Sequence, residues 1–155
     1  YSDAYQIRFS SNQEITAVEV MRSFFLTTPA WVVSLMKLRN FFAKVFGLKS
    51  FSVKDVEKDF ERLSGQKGES IGGAFPIIDS NCEEIVTGES DKHLDFLLSF
   101  LVRSHRGRHT VTLSTTVRFN NCLGRLYFLA VKPFHRFIVQ KMVYNIANQL
   151  RLEDC

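Results

Sequence analysis

The stretch LDFLLSFLVRSHRGRHTVTLSTTVRF, running from Leu94 to Phe119, decides the fold. Leu94, Phe96, Leu98, Phe100 and Val102 recur at every second position, and so do Val111, Leu113, Thr115, Val117 and Phe119. A period of two is that of a strand with one buried face. Residues opposed in an antiparallel pair share a face, so an even position of the first strand must meet an odd position of the second. A two-residue Arg106-Gly107 turn opposes His105 to Arg108 and satisfies that parity. The same register predicts Asp95 opposite Arg118 and His93 opposite Asn120. Gly107 accepts the positive φ that such a turn requires, whereas Arg106 accepts it less readily than Asn or Asp would.

Upstream, Tyr5, Ile7 and Phe9 alternate with Gln6, Arg8 and Ser10, which predicts an opening strand. Ser11 and Glu14 have the spacing of a capping box, and Ile15, Val18, Met21 and Phe25 then recur at helical spacing. Thr28 before Pro29 predicts a second helix start, with Trp31, Leu35, Leu38, Phe42 and Val45 as its apolar stripe up to Gly47. Ser52 to Leu63 reads as a marginal surface helix, and Ser64 to Ser70 as a mobile loop. Strands over Ala74 to Asp79 and Cys82 to Thr87 begin an antiparallel meander, with Pro76 pointing to an edge. Downstream of the long hairpin the period returns to helical from Asn121 to about Arg151, a helix of about 45 Å at 1.5 Å per residue. Pro133 is expected to kink it.

Composition narrows the functional classes. A chain of 155 residues, 45% apolar and 23% charged, is sized for one globular domain spanning residues 1–155. Cys82, Cys122 and Cys155 are odd in number and far apart, which argues against a disulfide framework or a cysteine zinc site and favours a reducing, cytoplasmic setting. The longest uncharged stretch, Ser23 to Met36, is too short for a membrane span, so integral membrane association is not expected. Net charge is +4, yet no acid lies between Phe96 and Glu153, while Arg103, Arg106, Arg108, Arg118, Arg125, Lys132, Arg136, Lys141 and Arg151 do. This reads first as a solvated basic face, and second as an interaction surface for anions. No polybasic tail is present and nucleic acid is not an expected partner.

The dinucleotide, P-loop, nucleophile-elbow and zinc-hydrolase signatures are all absent, so no cofactor, metal or reaction is indicated. Three candidate groups remain. His93, Asp95 and Arg118 form a polar set at one end of the hairpin, readable as an imidazole held by a carboxylate or as a cross-strand ion pair. Arg103, His105, Arg106, Arg108 and His109 crowd the hairpin tip and read as a solvated cluster. Tyr127, His135 and Arg136 lie on the terminal helix beside Leu126, Ala130, Val131, Phe134 and Phe137. Fifteen Phe residues can either pack solid or line a pocket.

The blocks HLDF, VRFNN and LGRLYFLAVKPFHR, with PAW at Pro29 to Trp31 and LRN at Leu38 to Asn40, resemble the bacterial domain of unknown function 2867 family from Pro29 to about Val143. Phe51 to Ser70 looks like an insertion. That resemblance implies a relative of the START-like, polyketide-cyclase-like (SRPBCC) proteins. The expected fold is therefore α+β helix-grip, a curved antiparallel sheet wrapped around a long C-terminal helix over an apolar cavity. Ligand-contact candidates are Trp31, Leu35, Phe96, Phe100, Val117, Tyr127 and His135. The expected function is binding of an apolar or aromatic small molecule or a lipid. The alternatives are a cyclase- or isomerase-like enzyme using polar groups in that cavity, and an interaction module using the basic surface. The family has no established activity, so no catalytic residue carries over, and a homodimer stays open.

Overall fold

In the computed structural model, which describes residues 1–34, 53–71 and 75–152, the chain runs β1 (Ser2–Ser10), α1 (Ala17–Leu26), α2 (Val53–Arg62), β2 (Ser70–Ile71), β3 (Phe75–Ser80), β4 (Glu84–Ser90), β5 (Leu94–His105), β6 (Arg108–Phe119) and α3 (Cys122–Leu152). The strands form one antiparallel open sheet in the order β1-β6-β5-β4-β3-β2. The β5–β6 hairpin has the register that its sequence predicts, with Asp95 opposite Arg118 and His105 opposite Arg108. Its turn places both Arg106 (φ 50°) and Gly107 (φ 72°) in the left-handed region, the geometry that matches the twist of the flanking strands.

β1 pairs along the far side of β6, from Ser2 opposite Thr116 to Ser10 opposite Arg108. Odd-numbered residues of β1 and β6 and even-numbered residues of β5 therefore share one face. Helices α1 and α3 cover that face, α1 over β4 and β5, α3 over β1 and β6, and they also pack on each other. Phe100, Val111, Leu113, Met21, Val20 and Ile146 are completely enclosed between them. Phe100 meets Phe24 edge-on at 5.2 Å, and Phe25 meets Phe75 at 5.2 Å. Burial of this face is the main force for assembly, at about 25 cal/mol per Å² of apolar surface.

Several local expectations need correction. The capping box of α1 is Thr16 with Glu19, not Ser11 with Glu14. Ser11 is held elsewhere: its amide donates to the Gly107 carbonyl at 3.1 Å, which commits residues 11–15 to a connection between sheet and helix. Thr28 does not open the next helix by side-chain capping. Its hydroxyl donates back to the carbonyls of Phe24 and Phe25, closing α1, while residues 30–34 begin a helical turn behind Pro29. The continuation of that helix over Leu35, Leu38, Phe42 and Val45 lies outside the described residues.

α2 is more than a surface helix, since Val56 and Phe60 are buried in the core and Phe60 lies 6.1 Å from Phe25. The loop that follows is tied down by Glu69, whose carboxylate accepts from the Ser64 amide and hydroxyl and from the Gln66 amide. Burial pushes the Glu69 carboxyl up, but those hydrogen bonds outweigh it and leave the group below its ordinary range. Pro76 does not mark the sheet edge, because β2 adds outside it with Ser70 opposite Pro76. α3 continues as helix through Pro133, although that residue brings no amide hydrogen for the carbonyl one turn earlier.

Phe100→Ala is expected to lower unfolding stability by about 3–5 kcal/mol, read from the midpoint of urea denaturation at unchanged slope. A loss under 1 kcal/mol would show that the interior does not depend on this ring.

Candidate functional site

The alternation of β1 continues two steps toward the N-terminus beyond the apolar pattern. Tyr1, Asp3 and Tyr5 continue the inner stripe of Ile7 and Phe9, which places a carboxylate on the buried side of the sheet. Tyr1 is held there by its carbonyl, which accepts from the Val117 amide at 2.7 Å. From above, α3 presents Phe128, Lys132, His135 and Arg136, spaced so that they fall on the turns facing β1.

These side chains converge on Asp3. The Tyr1 hydroxyl donates to Asp3 Oδ2 at 2.5 Å, and the Tyr5 hydroxyl approaches the same oxygen at 3.4 Å. His135 Nε2 lies 3.5 Å from the other oxygen, Oδ1. That distance is long for a hydrogen bond and leaves Oδ1 able to accept a stronger donor. Burial raises the Tyr1 phenol above its ordinary range, and the hydrogen bond to Asp3 adds to this. Burial, and next the Asp3 charge, do the same to Tyr5. Both phenols are thus kept protonated, as donors. A hydrogen bond with Tyr1 in turn holds the Arg136 guanidinium above its usual value. The Tyr1 ring packs 4.6 Å from Phe128 and lies under the Lys132 ammonium at 5.3 Å. Phe119 closes on Phe128 at 5.5 Å.

Thr115 stands directly opposite Asp3 in the register and shares its face. It is only 5% exposed, and its hydroxyl has no hydrogen-bond partner among the described residues. A buried hydroxyl without a partner costs about 1–3 kcal/mol. The Asp3 and His135 side chains keep 13% and 19% of their surface accessible. The arrangement therefore combines an acceptor with spare capacity, an imidazole, phenol donors and a free hydroxyl, walled by Phe119, Phe128 and Val117.

The residues expected to contact a ligand are divided by the structure. Val117 and His135 belong to this cluster, and Phe96 lies beside it, opposite Val117. Phe100 belongs to the enclosed core. Trp31 and Tyr127 are not on the inward side: both are more than a third exposed, and Trp31 packs against the exposed Phe137 at 5.6 Å. Leu35 lies outside the described residues. Tyr1, Asp3, Tyr5 and Thr115 are additions, and only the parity of β1 could have pointed to them.

The polar set at the start of β5, on the opposite face of the sheet, is a structural corner. Asp95 accepts from the Ser90 hydroxyl at 2.6 Å, the Asn120 amide at 2.9 Å and the Asp91 backbone at 3.3 Å. The first two lower its pKa most, with a small contribution from the charge of Arg118 opposite. His93 is not oriented by Asp95. Its Nδ1 meets the side-chain amide of Asn121, whose Oδ1 accepts from the Gly124 amide at 2.9 Å and so caps α3. A Cβ on Gly124 would stand 1.9 Å from the His93 carbonyl oxygen, so only glycine lets the helix begin against this turn.

At the hairpin tip, His109 is not solvated with its neighbours. It is buried, with Nε2 3.2 Å from the Ser11 carbonyl and Nδ1 2.8 Å from the Ser104 hydroxyl. A carbonyl can only accept, so Nε2 carries a proton. An open recess of about 310 Å³ there is lined by Ser10, Ser11, Asn12, Arg106, Gly107 and Arg108. It lies at the far end of β1 from Asp3 and shares no residue with the Asp3 cluster. Among the described residues no group of His, Cys, Asp and Glu side chains is placed to hold a metal ion.

Because the Asp95 carboxyl is lowered in the folded state, its stabilising effect is present above the unfolded value near 4 and is lost as pH falls through the folded one. Asp95→Asn is expected to lower Tm at pH 7 and to flatten the fall of Tm between about pH 4 and 2. An unchanged acid profile would remove this corner from the account.

No curated protein matches the chain closely enough to count as a relative. The DUF2867 family model, described as a protein of unknown function, matches residues 1–142. That span takes in both β1 with Asp3 and the part of α3 that carries His135. The chain therefore belongs to the DUF2867 family.

Proposed function

We propose that this domain binds a small molecule with an apolar or aromatic body and a polar end, the polar end seated at Asp3, Thr115 and His135. The observation that carries the reading is the buried Thr115 hydroxyl, left without a partner beside a carboxylate oxygen that retains acceptor capacity. A polar ligand atom between them would satisfy both groups at once, a gain unavailable to an apolar contact. The aromatic walls Phe119, Phe128 and Tyr1 supply the area that removes the rest of the ligand from water. This reading places the site under the N-terminal half of α3, because enclosed side chains fill the space beneath α1. It is also the reading in which the sheet and terminal helix form a START-like helix-grip, with a ligand held between them.

A second reading rests on the carboxylate–imidazole approach of 3.5 Å. With a bound substrate, His135 and Asp3 could relay a proton while Tyr1 or Tyr5 donates to a developing oxyanion, chemistry suited to an isomerase or cyclase. Binding comes first in either case.

The test is native mass spectrometry of protein purified from its own host, together with thermal shifts against small phenols and aromatic carboxylic acids. A retained small molecule, or a concentration-dependent rise in Tm abolished by Asp3→Asn, is the expected result. Thr115→Val should raise the stability of the free protein by about 1–3 kcal/mol while weakening that ligand at least tenfold. Wild-type protein that retains nothing and responds to no compound, or a Thr115→Val protein that is destabilised with unchanged binding, would overturn the proposal.

A further inference from the structure

The terminal helix has two apolar sides. One is the buried row of Phe128, Val139, Met142, Val143, Ile146 and Leu150 that packs on the sheet and α1. The other faces away: Leu123, Leu126, Leu129, Phe134, Phe137 and Tyr144 are each between 54% and 66% exposed. At 100° per residue these six fall on one side of the helix, opposite the buried row. Ala130 is exposed among them, and Trp31 joins the patch through its ring contact with Phe137 at 5.6 Å. Single exposed apolar residues need no explanation, but a continuous row of this length on a helix marks a surface that something covers.

Charge decides what covers it. α3 contains no acidic residue from Cys122 to Leu152. Arg125 flanks the exposed stripe on one side and Lys141 on the other, its ammonium 5.4 Å from the Tyr144 ring. Among the described residues no carboxylate is within ion-pair distance of Arg125 or Lys141. A second copy meeting this face would bring cations against cations, with no carboxylate on either α3 to answer them. An anionic lipid surface supplies both partners, hydrocarbon for the stripe and headgroup phosphates for its margins. No helix among the described residues is long and apolar enough to cross a membrane, so the contact would be peripheral.

We infer that the outer face of α3, with Trp31, lies on the surface of anionic membranes, its apolar stripe entering the headgroup boundary and its basic margins meeting lipid phosphates. The feature is independent of the Asp3 cluster, which faces the sheet on the opposite side of the helix.

Trp31 is the one tryptophan of the sequence and lies on the patch, so its fluorescence reports insertion. The experiment is flotation of the full chain with vesicles of phosphatidylcholine alone and of phosphatidylcholine with 30% phosphatidylglycerol, read with Trp31 emission and its quenching by brominated lipid. The expected result is binding to the anionic vesicles at least tenfold tighter than to neutral ones, a blue shift of Trp31, and release at about 0.5 M salt. Arg125→Gln with Lys141→Gln should weaken binding about fivefold for each cation removed. Leu126→Gln with Phe137→Gln should abolish it. A melting curve confirms that each variant folds, and the lipid and salt dependence of the wild type carries the test by itself if one does not. Equal binding to both vesicle types, no binding, or no vesicle binding together with a concentration-dependent dimer lost in Leu126→Gln with Phe137→Gln would each overturn the inference, the last in favour of a second copy.

Discussion

The positive φ angles at Arg106 and Gly107 fix the turn of the β5–β6 hairpin, and the turn fixes the parity of every pair above it. A slip of one residue would rotate Phe96, Leu98 and Phe100 to the solvent side of the sheet and bring Leu97, Ser99 and Leu101 inward. Because β1 pairs on β6, the same parity decides that Asp3 faces α3 while Gln6 and Arg8 face solvent. His109 reinforces the arrangement from outside the ladder by tying the Ser11 carbonyl to the hairpin end. Arg106 adopts a conformation that is uncommon for a residue with a side chain, and the paired strands beneath it outweigh that cost.

The hairpin was legible in the sequence because alternation, turn length and parity are all local. The order of the first strand, the first helix, the meander and the terminal helix followed from periodicity for the same reason. Helix starts were less legible where two caps competed: Ser11 and Glu14 have the spacing of a box, but the hairpin claims the Ser11 amide and passes the role to Thr16 and Glu19. Which side of a helix faces the core is harder still. α3 carries apolar residues on both sides, so Phe128 and Phe137 look alike until the sheet buries one and leaves the other in solvent. Asp3 could not be recognised from its type, since a lone acid in an opening strand is ordinarily solvated. Only its place in the β1 alternation sets it against Thr115 and beneath His135.

α3 is consequently a partition rather than a cover. Toward the sheet it contributes Phe128 and His135 to a half-buried polar cluster, and away from it the stripe of Leu126, Phe134 and Phe137 meets solvent. Arg136 and Lys132 lie beside that cluster, the Lys132 ammonium over the Tyr1 ring and the Arg136 guanidinium raised above its usual value by Tyr1.

The placement of β1 against β6 also governs how the chain reaches this structure during synthesis. Ser2 must wait for Thr116, and Ser10 for Arg108, before any of the β1 ladder can form. At about 5–20 residues per second the wait lasts roughly 5–20 s. Through that interval Tyr5, Ile7 and Phe9 have no sheet to enter, and an unpaired alternating strand is a template for the wrong neighbour. The β5–β6 hairpin and the start of α3 are close in sequence and can form within microseconds once released. The return of the first strand therefore comes after the hairpin, and it is that event which creates the Asp3–Thr115 pair.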